Sequence, residues 1–233
     1  MISKEFARII SCLPKPIVKW FIEKLVDRYM SHADITVVNK EALDRIKGPV
    51  IFISNHLSNS DGLVLDKVLG KDKVWFLAGV KLAKNEITKL GLGIVKTVPI
   101  NPNSPDRSAI SAMVKLLKSG QSVCIFPEGT RSRSGSLIKG KKGILLIARM
   151  TNVPMVPIGI EGTEKLMPIN DTDMGGEKFY DAKVKVSIGK SFYLPERKEN
   201  EDKKEYENRA LYFAMRKIAV LLSPDYQGIY REQ

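Results

Sequence analysis

Short apolar runs alternate with segments of helical periodicity along most of this 233-residue chain. The apolar runs are rich in Val and Ile, and most are too short for helices, so they predict β-strands. Strands that alternate with helices favour an α/β fold in which a mostly parallel, mixed sheet is flanked by helices. The predicted strands cover residues 35–38, 49–54, 74–78, 93–100, 122–126, 156–160 and 183–188.

Three segments after the first predicted strand carry a helical pattern. The first predicted helix begins at Ser104, a favourable N-cap followed by Pro105, and ends at Gly120. A second helix is predicted over residues 143–150, and a third over roughly residues 201–222. Sites in such folds lie at the carboxyl ends of the strands, so chemistry is expected in the loops that follow them.

The N-terminal segment has a different pattern from the rest of the chain. A first amphipathic helix is predicted up to Pro14 and Pro16, and a second follows with Trp20 on its apolar side and basic residues at its edges. Two interpretations stay open: a helical pair packed on the core, or an anchor that lies in the bilayer surface. The predicted division is amphipathic membrane-surface helices over residues 1–33 and an α/β domain over residues 34–233.

The balance of charges narrows the class of partner. Lys and Arg total 38 against 26 Asp and Glu, which gives a formal net charge of +12. Such an excess favours phospholipid headgroups, phosphorylated small molecules or nucleic acid as partners. Aromatic residues make up only 7% of the chain, and the sequence has no recognised nucleic-acid-binding motif, so nucleic acid is the least favoured of the three.

Cysteine and histidine are too sparse to predict a metal centre. The two cysteines, Cys12 and Cys124, lie far apart, and His32 and His56 are the only histidines. The sequence also lacks an apolar run near the ~20 residues of a membrane-spanning helix, and it lacks the pattern of a secretory signal. These features predict a chain that stays in a reducing cytosol and binds no metal.

A histidine and an aspartate follow the predicted strand at residues 49–54. His56 falls just past the strand, and Asp61 falls in the first turn of a helix that Ser58 or Asn59 can cap. An aspartate on one ring nitrogen fixes the histidine tautomer and leaves the other nitrogen to take a proton. The alternative is a turn whose histidine only makes local hydrogen bonds.

A second polar loop follows the predicted strand at residues 122–126. Gly129 permits a sharp turn, and the planar fork of Arg131 suits a phosphate group. The alternative is a solvated basic loop. Because the sequence has neither a nucleophile elbow nor a Walker phosphate loop, His56 would have to activate a hydroxyl group of the substrate. The two loops therefore suggest group transfer to an alcohol, with phosphate on the acceptor, the donor or both.

Four motifs stand in a fixed order over roughly residues 35–190, and any one of them alone is weak. They are Asn55-His56 with Asp61, residues 126–132 (FPEGTRS), the pair Lys141 and Gly143, and residues 153–157 (VPMVP). Together they resemble the motifs of the lysophosphatidic acid acyltransferases (1-acyl-glycerol-3-phosphate acyltransferases) within the glycerolipid acyltransferase family. Residues 126–132 are similar to the third motif of that family, residue for residue.

The resemblance implies an enzyme of phospholipid biosynthesis, of the EC 2.3.1 type. The implied reaction moves a fatty acyl group from acyl-CoA or acyl carrier protein to the 2-hydroxyl of 1-acyl-glycerol-3-phosphate, giving phosphatidic acid. The resemblance implies that His56 is the general base and that Asp61 orients it. The residues implied in acceptor binding are Lys81, Glu128, Gly129, Thr130, Arg131 and Lys141.

The resemblance also implies a setting for the reaction. The family needs no metal and no prosthetic group. The implied location is the cytoplasmic face of a membrane, on which the enzyme is a monotopic or peripheral protein bound to an anionic surface. Nucleic acid is not an implied partner.

One position departs from the family pattern. The second motif usually ends in an apolar-Asp-Arg segment, but residues 100–102 read Ile-Asn-Pro. Pro102 cannot bind phosphate through a side chain or an N–H group. The acceptor phosphate would then rest on Arg131 together with Lys81, Lys141 or Arg107.

Three alternatives follow from this departure and from the charge. One is an acyltransferase that uses a different lyso-lipid or hydroxy-lipid as its acceptor. The others, from a different class, are a non-catalytic lipid-binding protein and a basic nucleic-acid-binding protein. The presence of both His56 and Asp61 argues against the non-catalytic lipid-binding protein.

Overall fold

The computed structural model describes residues 14–70, 73–79, 95–100, 106–170 and 177–232. Seven strands in this part of the chain form one sheet. The strands are β1 (Ala33–Val38), β2 (Ile51–Ser54), β3 (Val74–Gly79), β4 (Thr97–Ile100), β5 (Ser122–Ile125), β6 (Met155–Glu161) and β7 (Ala182–Ile188). The helices are α1 (Lys15–Met30), α2 (Asp61–Leu69), α3 (Arg107–Lys118), α4 (Gly143–Thr151), α5 (Thr163–Leu166) and α6 (Lys203–Ala219).

The sheet has the order β1-β7-β6-β2-β5-β3-β4. Every neighbouring pair is parallel except β6 with β7, which is antiparallel. The predicted α/β fold with a mostly parallel, mixed sheet is therefore confirmed. Each predicted strand is present, and the differences lie at the strand ends, where sequence patterns fix boundaries least well.

Helices cover both faces of the sheet. On one face, α3, α4 and α6 bury Met113, Leu145 and Met215 against the strands. On the other face, Leu65 of α2 and Met30, the last residue of α1, belong to one cluster of buried apolar residues. Strands β2 and β5 lie next to each other within the sheet, so the loops after them emerge side by side.

The N-terminal region is described in part. The second predicted helix is confirmed as α1, with Pro14 as its N-cap residue and Pro16 inside its first turn, a position that tolerates proline. The first predicted helix lies outside the described residues. No helix among the described residues has both the length and the apolar content that crossing a bilayer requires.

The N-cap of helix α3 is Asp106, two residues after the predicted Ser104, which lies outside the described residues. The helix begins at Arg107, and the side chain of Asp106 accepts a hydrogen bond from the N–H of Ala109, at 3.0 Å. Aspartate is a favourable N-cap because its carboxylate can accept from the first free N–H groups of a helix. The predicted end at Gly120 agrees with the structure, in which that glycine has a φ of 84°.

Candidate active site

The loop after β2 is tied to the neighbouring strand by a buried asparagine. The side-chain amide of Asn55 donates to the carbonyl oxygen of Ile160, and its oxygen accepts from the N–H of Ile160, both at 2.8 Å. This paired contact holds the end of β2 against β6. Asn55 therefore fixes the start of the loop that carries His56. Its position next to His56 in the sequence did not predict this structural role.

His56 and Asp61 meet in the structure. Nδ1 of His56 lies 2.7 Å from Oδ2 of Asp61. The same oxygen accepts hydrogen bonds from the backbone N–H groups of Leu57, at 2.7 Å, and Ser58, at 2.9 Å. Because Asp61 Oδ2 acts as an acceptor throughout, we assign the hydrogen to Nδ1 of the imidazole, which leaves a lone pair on Nε2.

The two side chains differ in their exposure. The Asp61 side chain is fully buried, whereas the His56 side chain keeps 20% of its surface exposed. A buried carboxylate that accepts several hydrogen bonds is rigidly placed and favours a positive charge on the ring that it contacts. Part of the imidazole is therefore accessible from outside the protein, whereas its carboxylate partner is not.

Helix α2 is not capped as the sequence predicted. The helix begins at Asp61 after Ser60, and neither Ser58 nor Asn59 caps it. The hydroxyl of Ser58 instead donates to the carbonyl oxygen of Met167, at 2.7 Å, and accepts from the N–H of Ser60, at 3.1 Å. The Asp61 carboxylate bonds the preceding N–H groups itself, so the catalytic candidate also orders the turn that holds it.

The loop after β5 holds His56 from the other side. The imidazole stacks on the ring of Phe126, with centroids 4.2 Å apart and planes 15° from parallel. The N–H of Ser132 donates to the carbonyl oxygen of His56, at 2.7 Å. The first and third motifs therefore lie side by side, after strands that are neighbours in the sheet.

Glu128 is buried inside this loop. One carboxylate oxygen accepts from the backbone N–H of His56, at 2.7 Å, and the other accepts from the N–H of Ile138, at 3.0 Å. The side chain thus links the two motif loops to each other. Burial raises the pKa of Glu128 to about 8, although the N–H groups of Ile138 and His56 lower it, and the charge of Asp61 raises it further.

Gly129 allows the third-motif loop to make a sharp turn in contact with the side chain of Lys141. Its φ is 66°, in the region that glycine adopts without strain. A Cβ atom at this position would lie 2.8 Å from Cδ of Lys141. The N–H of Lys141 also donates to the carbonyl oxygen of Pro127, at 2.7 Å, so Lys141 is fixed beside the turn.

Arg131 is paired with a residue that the sequence did not single out. Its Nη1 donates to Oε1 of Glu177, at 2.7 Å, and the two side chains are 13% and 3% exposed.

The other residues predicted to bind the acceptor are less defined by contacts. Thr130, next to Arg131, is exposed. Arg107 is exposed at the start of α3, and no hydrogen bond joins it to the described residues of the two motif loops. Lys81 and Pro102 lie outside the described residues.

A family model supports the grouping of these motifs. The model described as "Acyltransferase" matches residues 34–161, more than half of the chain, and its span contains both motif loops. The chain belongs to the acyltransferase family. The matched region runs from β1 to the end of β6.

Individual relatives agree with the family assignment. A 1-acyl-sn-glycerol-3-phosphate acyltransferase of Bacillus subtilis is 30% identical over 159 residues, which cover 68% of this chain and 74% of that protein. A chloroplastic 1-acyl-sn-glycerol-3-phosphate acyltransferase of Arabidopsis thaliana is 36% identical over 137 residues, which cover 56% of this chain. That match spans only 38% of the Arabidopsis protein, so the matched part of the chain corresponds to little more than a third of its length.

A solved structure shares the fold. The crystal structure of the 1-acyl-sn-glycerophosphate acyltransferase PlsC of Thermotoga maritima matches with a TM-score of 0.59 and 23% sequence identity. The match covers 94% of this chain and 89% of the Thermotoga chain. The two proteins therefore have a common architecture over almost their entire lengths.

The described residues contain no cluster of metal ligands. Within them, no group of three or more His, Cys, Asp or Glu side chains could hold a metal ion. The acidic side chains at the site bind protein groups instead: Asp61 binds His56, and Glu128 binds backbone amides.

The raised pKa of Glu128 gives a testable pH dependence. Its ordinary value of about 4.5 applies to the unfolded chain, and the folded value is about 8. The folded protein therefore keeps this proton where the unfolded chain loses it, so the contribution of Glu128 lowers stability progressively from about pH 4.5 to about pH 8. In urea unfolding between pH 5 and pH 8, we expect the free energy of unfolding to fall more steeply for the wild type than for Glu128→Gln. Equal slopes in the two proteins would contradict this interpretation of Glu128.

Proposed function

We propose that this acyltransferase moves a fatty acyl group from a thioester donor to the 2-hydroxyl of 1-acyl-glycerol-3-phosphate, giving phosphatidic acid. The donor is acyl-CoA or acyl carrier protein. The 2.7 Å contact between His56 and Asp61 carries the proposal, because it prepares a general base beside the basic third-motif loop. The names of the relatives, which specify 1-acyl-sn-glycerol-3-phosphate as the acceptor, support the choice of substrate.

The proposed chemistry begins with proton transfer to His56. Its Nε2 takes the proton of the acceptor hydroxyl as the hydroxyl oxygen attacks the thioester carbonyl carbon. Asp61 stabilises the imidazolium that forms, through the hydrogen bond at Nδ1. When the tetrahedral intermediate collapses, the C–S bond breaks, and the imidazolium returns the proton to the departing sulfur. The products are an ester and a free thiol.

A covalent acyl-enzyme is not part of this proposal. Cys124, the cysteine within the described residues, is completely buried, and burial raises the pKa of its thiol. A buried protonated thiol is a poor nucleophile. Direct transfer needs only side chains and backbone groups, so the proposed reaction uses no metal and no prosthetic group.

We assign the remaining site residues to two tasks. Glu128 holds the His56 loop in place, because both of its oxygens accept hydrogen bonds from backbone N–H groups. Arg131 and Lys141 bind the acceptor phosphate as cations beside the Gly129 turn. Thr130 and Lys81 complete acceptor binding in this proposal, and Pro102 stands where the family pattern has an arginine.

An acceptor panel tests the proposed substrate. Wild-type protein is incubated with one acyl-CoA and, in turn, lysophosphatidate, lysophosphatidylcholine, lysophosphatidylglycerol and monoacylglycerol. We expect thiol release to be fastest with lysophosphatidate. A higher kcat/KM for any of the other three would assign the chain to the alternative of a different lyso- or hydroxy-lipid acceptor. Binding to DNA without thiol release would favour the non-catalytic alternative.

We also propose that residues 1–33 hold the enzyme on a membrane surface. Helix α1 supports this, since Trp20 is 60% exposed and Ile17 is also exposed on the same helix. Reversible anchoring needs burial of apolar surface and electrostatic attraction to anionic lipids. The apolar face of the helix supplies the first, and its basic side chains supply the second. The enzyme would then act as a monotopic or peripheral protein on an anionic membrane, at the cytoplasmic face, where both proposed donors are found.

The anchoring proposal predicts a selective loss of membrane binding. Burying an aromatic side chain contributes ~1.5–3 kcal/mol, so Trp20→Ala should weaken co-sedimentation with anionic vesicles by about 10-fold or more. Tyr193→Ala is a matched control, because Tyr193 is 59% exposed and lies outside the N-terminal segment. Equal binding by the two variants would contradict a special role for α1.

A further inference from the structure

The guanidinium of Arg131 is held by a carboxylate from outside all four motifs. Glu177 accepts the hydrogen bond from Nη1 and is almost fully buried. Among the described residues, Glu177 is the one hydrogen-bond partner of that guanidinium. An arginine has five N–H donors, so the other edge of the fork remains for a ligand.

Glu177 is fixed independently of Arg131. Its Oε2 accepts from the side-chain amide of Asn59, at 2.7 Å, and its Oε1 also accepts from the N–H of Asn170, at 3.2 Å. If Glu177 only occupied the phosphate site as a substitute anion, it would need no hydrogen bonds other than the one from Arg131. These two contacts instead place Glu177 as part of the scaffold, and the contact with Asn59 connects it to the loop that carries His56 and Asp61.

The segment that carries Glu177 is seated on the end of helix α1. Phe179 stacks on Tyr29, with ring centroids 4.8 Å apart and planes 7° from parallel. Asp181 lies 2.6 Å from the imidazole of His32, and the N–H of Ala182 donates to the carbonyl oxygen of His32. Residues 177–182, which we term the strap, therefore connect α1 to Arg131.

We propose that Glu177 is a positioning residue for the acceptor phosphate: it orients Arg131 so that the free edge of the guanidinium faces the phosphate group. This inference rests on the proposed function. An arginine side chain is flexible, and orienting its guanidinium before the ligand arrives reduces the entropy cost of binding. A pre-oriented arginine therefore binds phosphate with higher affinity. Through the stacking of Phe179 on Tyr29, the strap also connects the position of Glu177 to helix α1.

Kinetics of Glu177 variants test the proposal. Misplacing a binding group by about 1 Å can reduce rates by orders of magnitude, so we expect Glu177→Ala to raise the KM for lysophosphatidate by about 10-fold, with a smaller change in kcat. Glu177→Gln should recover most of the affinity, since its amide oxygen still accepts from Arg131. If Glu177 were a competing anion that the phosphate displaces, both variants would instead lower the KM, and that result would overturn the proposal.

A double-mutant cycle separates an effect through Arg131 from a general structural effect. In an Arg131→Ala background, adding Glu177→Ala should leave the acceptor KM unchanged within about two-fold. Multiplicative losses would show that Glu177 does not act through Arg131. Glu201→Gln is the matched control, because Glu201 also pairs with an arginine, Arg209, at 2.6 Å, but lies outside the motif loops.

The same assays distinguish failure of this inference from failure of the proposed function. If wild-type protein releases no thiol with lysophosphatidate, the proposed function fails. If the wild type is active but Glu177→Ala keeps the wild-type KM, only the role of Glu177 fails. With monoacylglycerol, which has no phosphate, Glu177→Ala should leave the KM unchanged, and an equal rise with both acceptors would also overturn the proposal.

Discussion

Replacing His56 with alanine is expected to lower kcat for acyl transfer by ~10²–10⁴-fold, the usual effect of removing a general base. The reason is local: Nε2 of His56 is the proton acceptor that the geometry makes available beside the basic loop, while Nδ1 is occupied by Asp61 at 2.7 Å. The acceptor KM should change much less, because the phosphate contacts remain. The measurement is thiol release from acyl-CoA at saturating lysophosphatidate.

Asp61 variants extend this test to the pair. Asp61→Asn removes the charge that stabilises the imidazolium but keeps the volume of a fully buried side chain. It should therefore lower kcat strongly while the protein stays folded, which thermal unfolding can verify. The His56→Ala, Asp61→Asn double variant should be little slower than His56→Ala alone, since residues that act as a unit are not additive. Fully multiplicative losses would contradict a joint role.

Replacing Arg131 with alanine should have the second largest effect. A hydrogen bond to a charged group contributes ~1.5–3 kcal/mol, so kcat/KM for lysophosphatidate should fall by at least about 10-fold. Arg131→Lys should recover only part of this, because an ammonium group reproduces neither the fork nor its contact with Glu177.

A neutral acceptor supplies the control for Arg131. Monoacylglycerol lacks the phosphate, so its use should change little in Arg131→Ala. An equal loss with both acceptors would mean that Arg131 supports the loop rather than the phosphate. Arg209→Ala, which removes an arginine paired with Glu201 outside the motif loops, checks that losing any ion-paired arginine does not produce the same result.

The parts of the site that the sequence predicted are those set by local order along the chain. His56 follows a strand and Asp61 begins a helix, so five residues suffice to bring the two side chains together. The contact between the two motif loops was not predicted: β5 neighbours β2 in the sheet although the two strands are not consecutive in the chain, and this adjacency places Phe126 against the imidazole. The family resemblance added the chemical roles that spacing alone left open.

The features that could not be predicted from the sequence depend on contacts between residues far apart in the chain. Glu177 lies 46 positions from Arg131, and no periodic pattern marks it as a partner. Glu128 was expected at the acceptor, and the structure shows in addition that both of its oxygens accept hydrogen bonds from the backbone N–H groups of His56 and Ile138, contacts that only the folded loops reveal. Asp61 lies in the first turn of its helix as predicted, but the predicted caps Ser58 and Asn59 instead bond Met167 and Glu177, which are distant in sequence.

The most direct test of the proposed reaction follows both products in one assay. Wild-type protein and His56→Ala are each given lysophosphatidate with acyl-CoA, and in parallel with acyl carrier protein, while free thiol is measured and phosphatidate is identified by mass spectrometry. The proposed mechanism predicts equal amounts of thiol and phosphatidate from the wild type with at least one donor, and almost none from His56→Ala. Thiol release without phosphatidate, or the same yield of phosphatidate from both proteins, would contradict base-catalysed transfer by His56.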